Sequence, residues 1–150
     1  MIDSDIRLRD KLDEKAGKYD LRGKPYAVVV GVHDPMCEIT DVRDALFGTL
    51  AVVVATGQGV RKGDGFFGVW SRTEFHGKHP QVSCVYAVDG WWPGGPYLPR
   101  GTRFDNPFAE ASFPLDGLPL DAHWAVVDRG PTHVRSDWLV RPGPMKPSRP

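Results

Sequence analysis

A chain of 150 residues, 41% hydrophobic and 25% charged, suits one domain with a core of its own. Nineteen basic residues balance 19 acidic ones. The zero net charge excludes a global electrostatic pull toward nucleic acid or anionic membrane and leaves room only for a local basic patch. The start, MIDSDIRLRD, has no apolar signal core and no apolar run is long enough to cross a bilayer, so Cys37 and Cys84 read as free thiols of a reducing cytoplasm.

The first expected element is a helix that starts near Ser4 or Asp5, either of which can cap it, and ends near Tyr19. On a 3.6-residue wheel Leu8, Leu12, Ala16 and Tyr19 share one arc, with Lys15 at its edge one turn before Tyr19. The Val-rich run YAVVVGV at 26–32 has the composition of a strand covered on both faces. A loop to Thr40 leads to a short helix, DVRDALF, capped by Thr40 or Asp41 and closed by Gly48, with Val42, Ala45 and Leu46 on one face. LAVVVAT at 50–56 reads as a second buried strand and GQGVRKGDG at 57–65 as a loop. Strands at 66–71 and 81–88 are expected to pair, joined by FHGKHP. Gly, Pro and aromatic density at 90–107 predicts irregular structure over the core. A last strand is expected at 123–128, and four prolines at 142–150 predict a disordered tail.

Several side chains are candidates for chemistry. Lys15 and Tyr19 form a Lys-x-x-x-Tyr pair that can reach a phosphate or a metal-bound water, or that can simply pack and snorkel. His33, Cys37, His76, His79 and Cys84 are zinc-ligand types, but their spacing meets no standard site and Cys84 reads as a small buried residue. Arg61 and Lys62 sit in a Gly-rich loop that lacks the phosphate-binding Gly-x-x-x-x-Gly-Lys-Ser/Thr pattern. Asp34 follows the first strand, where open α/β sheets place ligands. Asp41 and Asp44 read as charges near a helix N-terminus. Ser71, Ser83 and Ser112 lack a nucleophile elbow. Trp91, Trp92, Tyr97, Phe104 and Phe108 either line an interface or fill the core beneath Pro-rich loops.

The order LRDKLDEKAGKY, PYAVVVGV, DVRDALFG, DGFFG, QVSCVYAV and FDNPFA resembles a group of uncharacterised bacterial proteins, over about residues 8–115. Its most recognisable parts are Ala45 to Gly48 and Asn106 to Ala109. The helix and strand of that group also look like the second helix and fourth strand of the PD-(D/E)XK nuclease fold. Some members of that fold carry Gln-x-x-x-Tyr beside the metal; Lys15 and Tyr19 stand where that pair would stand. The fold's catalytic Asp and Glu-x-Lys lie on strands before this helix, where only Met1 to Ile6 precede it here. The resemblance therefore implies the C-terminal part of a nuclease-like protein without its metal-binding strands.

The expectation is an α/β fold: a small mixed sheet with one main helix packed on it and a loop-rich C-terminal half. Residues 1–141 form one domain and 142–150 a tail. The expected function is nuclease-related but non-catalytic, with Lys15 and Tyr19 as nuclease-like candidates, no cofactor or metal, and DNA or a completing protein chain as partner. The alternatives are a partner-binding module with an aromatic-rich interface, and a metal hydrolase using Asp34, Asp64 and the His76–His79 pair.

Overall fold

A computed structural model describes residues 4–19, 23–33, 37–48, 50–52, 54–57, 59–61, 65–70, 75–90, 97–131, 134–144 and 146–147. The fold is α/β. Among the described residues two helices, α1 (Ser4–Ala16) and α2 (Ile39–Phe47), accompany nine strands: β1 (Ala27–Val32), β2 (Leu50–Val52), β3 (Gly59–Arg61), β4 (Gly68–Trp70), β5 (Phe75–Gly77), β6 (Cys84–Asp89), β7 (Arg100–Asp105), β8 (Ala122–Arg129) and β9 (Val134–Val140). Five of them make the main sheet in the order β1-β6-β7-β8-β9. The β1/β6 and β7/β8 pairs are parallel, and β6/β7 and β8/β9 are antiparallel.

Strand register explains where the core sits. Val28 lies beside Val85, Val85 beside Phe104, Phe104 beside Trp124 and Trp124 beside Trp138. This row runs across all five strands on one face, because alternate side chains of a strand share a face. Leu12 and Ala16 of α1 and Val42, Leu46 and Phe47 of α2 cover it, joined by Phe66, Phe67 and Val82. Phe47 meets Phe67 edge-on at 5.2 Å, and Trp124 meets Trp138 edge-on at 5.0 Å, a favoured geometry for aromatic pairs.

Helix α1 keeps the expected Leu8, Leu12, Ala16 arc but ends at Ala16, three residues before the expected end. Gly17 N–H bonds Asp13 O, Lys18 N–H tightens onto Lys15 O, and Gln81 Nε2 reaches Ala16 O at 3.5 Å. The last carbonyls thus find partners outside a continued helix. Tyr19 falls past this end and off the buried arc. Helix α2 starts at Ile39, two residues before the expected DVRDALF. Glu38 is its cap, and Glu38 N–H donates to the Asp41 carboxylate at 2.7 Å. Gly48 closes it with φ 82°, its N–H on Asp44 O at 2.8 Å. The next carbonyls, of Ala45 and Leu46, accept from Phe66 and Phe67 N–H at 2.9 Å each.

Among the described residues the pairing expected between 66–71 and 81–88 does not form. β4 instead makes a local hairpin with β5, which occupies part of the expected connection, and β2 pairs with β3 inside the expected loop at 57–65. β6 is buried along most of its length and takes an interior place between β1 and β7. The stretch expected to be irregular, 90–107, contains β7, the middle strand of the sheet. Gly101 is required there: a Cβ at that position would overlap the Tyr86 hydroxyl. β9 was also not foreseen.

β1 departs from its composition in one respect. Val28, Val30 and Val32 face the core, but Val29 is 48% exposed and Gly31 is exposed, so the strand is covered on one face only. In the expected tail, Leu98 N–H bonds Lys146 O at 2.8 Å, Tyr97 and Pro147 form a β-bridge, and Arg100 donates to Gly143 O. The described tail residues are therefore tied to the chain entering β7.

Candidate functional site

Tyr26, the residue before β1, organises the first region of interest. Its N–H donates to Ser83 Oγ at 3.0 Å and its carbonyl accepts from Ser83 N–H at 2.7 Å. This reciprocal pair sets the start of the β1/β6 register and gives Ser83 a structural role. The Tyr26 hydroxyl donates to Lys15 O at 3.4 Å, and the Tyr19 ring stands edge-on to the Tyr26 ring at 6.4 Å. Burial, then the neighbouring Tyr19, pushes the Tyr26 phenol up from its ordinary value. Lys15 is exposed and Tyr19 is 58% exposed. The two do not share a helix face; both border Tyr26 at the foot of β1.

Among the described residues β1 is an edge strand, with no strand paired to its outer edge. Its sequence, AVVVGV, contains no charge and no proline. Exposed edges are normally blunted by such residues or by bulges. This edge has an apolar sequence, an uncovered Val29, and Lys15 and Tyr19 near one end.

The zinc-ligand types do not converge. His79 Nε2 lies 2.7 Å from Asp13 Oδ1 and its ring stacks on Phe66 at 4.2 Å, which ties the β5–β6 turn to α1. His76 is exposed on β5, and Cys37 is half-buried beside Glu38, its Sγ 3.9 Å from Glu38 O. Cys84 is fully buried, on the sheet face opposite to Val28 and Val85. Among the described residues no three His, Cys, Asp or Glu side chains stand together as a metal site. Asp41 is committed to the α2 cap, and Asp44 lies 3.6 Å from Arg43 Nε. Asp34, Lys62, Asp64, Ser71, Trp91 and Trp92 lie outside the described residues, as does the side chain of Arg61. Of the aromatic run, Phe104 is core, Phe108 is half-buried and Tyr97 is exposed. The Asn106 side chain donates to His79 O and Val82 O and accepts from Phe108 N–H, so Asn-Pro-aromatic-Ala serves here as a loop brace.

A second polar cluster, on the far face of the sheet, escaped the sequence reading. Arg103 Nε donates to Asp105 Oδ1 at 2.5 Å, and Asp105 Oδ2 lies 2.7 Å from His123 Nε2. The remaining guanidinium nitrogens donate to Pro114 O at 3.2 Å and Phe113 O at 3.0 Å. Both carboxylate oxygens and all three guanidinium nitrogens are engaged, so the cluster is a closed network. Cys84 sits opposite Asp105 in register. Burial pushes its thiol up to about 12; Arg103 opposes this and Asp105 adds to it. A thiol so protonated is a poor nucleophile. The sequence signal was the Arg-x-Asp spacing, which puts both groups on one face of a strand, hidden because 100–105 was not read as a strand.

No family model, curated protein or solved structure matches the chain. Among the described residues no helix is long and apolar enough to cross a membrane.

Proposed function

We propose that this chain is a nuclease-related binding module, non-catalytic as it stands, completed by a strand that adds to the open edge of β1. The observation that carries this reading is an uncharged, Val-rich strand with its outer face uncovered at Val29 and its outer edge unpaired among the described residues. Strand addition supplies backbone hydrogen bonds along such an edge and pockets for alternate side chains. The relation to nucleases rests on motif order, with Lys15 and Tyr19 at the foot of the same edge. The completing strand belongs to polypeptide other than the described residues, either a longer form of this chain or a partner. The zero net charge supports a protein partner over DNA. Cys37 and Cys84, neither of them in a disulfide, support a cytoplasmic setting.

The test places a photo-crosslinking side chain at position 29, with position 11 on the exposed flank of α1 as control, in cells that make the chain naturally. One dominant adduct from position 29 and none from position 11 is expected. No adduct from 29, or the same adducts from both, contradicts the reading. Purified chain should not cleave DNA with magnesium or manganese; cleavage lost in Asp34→Ala would replace this proposal with the metal-hydrolase alternative.

A further inference from the structure

The far face of the sheet is covered by residues 111–120, a stretch without helix or strand. Its ends are fixed. On one side Glu110 N–H bonds Pro80 O at 2.8 Å. On the other Asp121 N–H bonds Gly101 O at 2.9 Å, and Gly101 N–H returns a bond to the Asp121 carboxylate at 2.8 Å. Between these anchors, among the described residues, the polar ties to the sheet are the two carbonyl bonds from Phe113 and Pro114 to Arg103, with the guanidinium 5.9 Å from the Phe113 ring centre. Seven of the ten residues are exposed, including Leu115, and none is fully buried. Beneath lies a small cavity lined by Cys84, Tyr86, Arg103, Phe113, Leu118 and Leu120, among others.

We propose that 111–120 is a strap that opens as a unit about its fixed ends, with Arg103 as its clasp. The physical basis is the contrast between firm anchors and a thinly held middle. Segments with few buried apolar contacts open locally at a lower cost than global unfolding. The floor does not move with it, because Arg103 remains bound to Asp105, and Asp105 to His123. Opening uncovers Cys84 and Tyr86 and releases two guanidinium N–H groups on the floor of the strap.

Cys84 reports on the opening. In a Cys37→Ser background it is the sole thiol, and it can be followed with an aromatic disulfide reagent. The Cys84 thiolate attacks one sulfur, a mixed disulfide forms, one aryl thiolate is released and the thiol proton goes to buffer. Strap opening predicts a labelling rate nearly independent of urea until global unfolding begins. Phe113→Ala and Leu118→Ala should each speed labelling about tenfold and lower the global unfolding free energy by no more than the matching amount, about 1.4 kcal/mol. Leu12→Ala, in the opposite core, should lower the global midpoint and leave the low-urea labelling rate unchanged. A rate that climbs from zero urea with the slope of global unfolding overturns the proposal. So does acceleration by Leu12→Ala equal to that of the strap variants, or no labelling at all under native conditions.

Discussion

Arg103 and Asp105 lie two residues apart on β7 and point to the same face, Nε to Oδ1 at 2.5 Å. Side-chain exposures of 9% and 22% make this a largely buried pair, and His123 takes the other carboxylate oxygen. Removing one partner of such a pair leaves a charge without compensation. Asp105→Ala is therefore expected to cost roughly 3–5 kcal/mol in urea unfolding, and Asp105→Asn less, because an amide oxygen can still accept one bond. A loss below about 1 kcal/mol, the range of exposed pairs, would show that the network is solvated.

The helix α1 arc gives a second prediction. Leu12 is fully buried and Lys15 is exposed. Leu12→Ala should cost roughly 2–5 kcal/mol, and Lys15→Ala no more than about 0.5 kcal/mol. A Leu12→Ala protein as stable as wild type would contradict the packing of α1 over Val28 and Val42.

The third concerns the C-terminal segment. A Pro-rich end that touched nothing could be removed without effect, but Gly143, Lys146 and Pro147 contact Arg100, Leu98 and Tyr97. Ending the chain at Arg141 should lower stability by about 1–2 kcal/mol, the net worth of one or two hydrogen bonds. An unchanged melting temperature would show that these contacts contribute nothing.

What the sequence disclosed and what it hid follow one physical division. Local periodicity identified α1, α2, β1 and β6, because Leu8, Leu12 and Ala16 or a run of valines declare a buried face by themselves. β7 was hidden because its interior position depends on partners remote in sequence. Arg103 can occupy a central strand only because Asp105, itself held by His123, and the carbonyls of 113 and 114 satisfy it, and Gly101 is there to clear Tyr86. The end of α1 was misplaced for a similar reason, since Gln81 supplies a contact to Ala16 O from 65 residues away. Lys15 and Tyr19 were expected one turn apart on a helix; the structure instead links each to Tyr26, through the Lys15 carbonyl and the Tyr19 ring.

The Cys84 thiol gives a pH prediction. Its value in the folded chain, about 12, lies above the ordinary 9.0. Above pH 9 the unfolded chain loses this proton while the folded chain keeps it, so the folded state binds more protons and stability falls as pH rises. The contribution is fully present below pH 9 and is lost between there and about 12, at up to about 1.4 kcal/mol per pH unit. Tyr26 and Tyr86, both pushed upward chiefly by burial, add to the loss above pH 10. Between pH 8.5 and 10, wild type should lose stability more steeply than Cys84→Ala. Equal slopes would mean that the thiol ionises freely in the folded protein.

The proposed docking edge is tested most directly by amide hydrogen exchange along β1 in the isolated chain at micromolar concentration. One edge of β1 is bonded to β6, and the other is unpaired among the described residues. Alternation is expected over Ala27–Val32: amides directed at β6 protected to the level of β6 itself, and amides directed outward exchanging far faster. In the complex recovered through position 29, the fast set should become protected. Uniform protection of all six amides in the isolated chain would mean that the edge is already closed, and would contradict completion at β1.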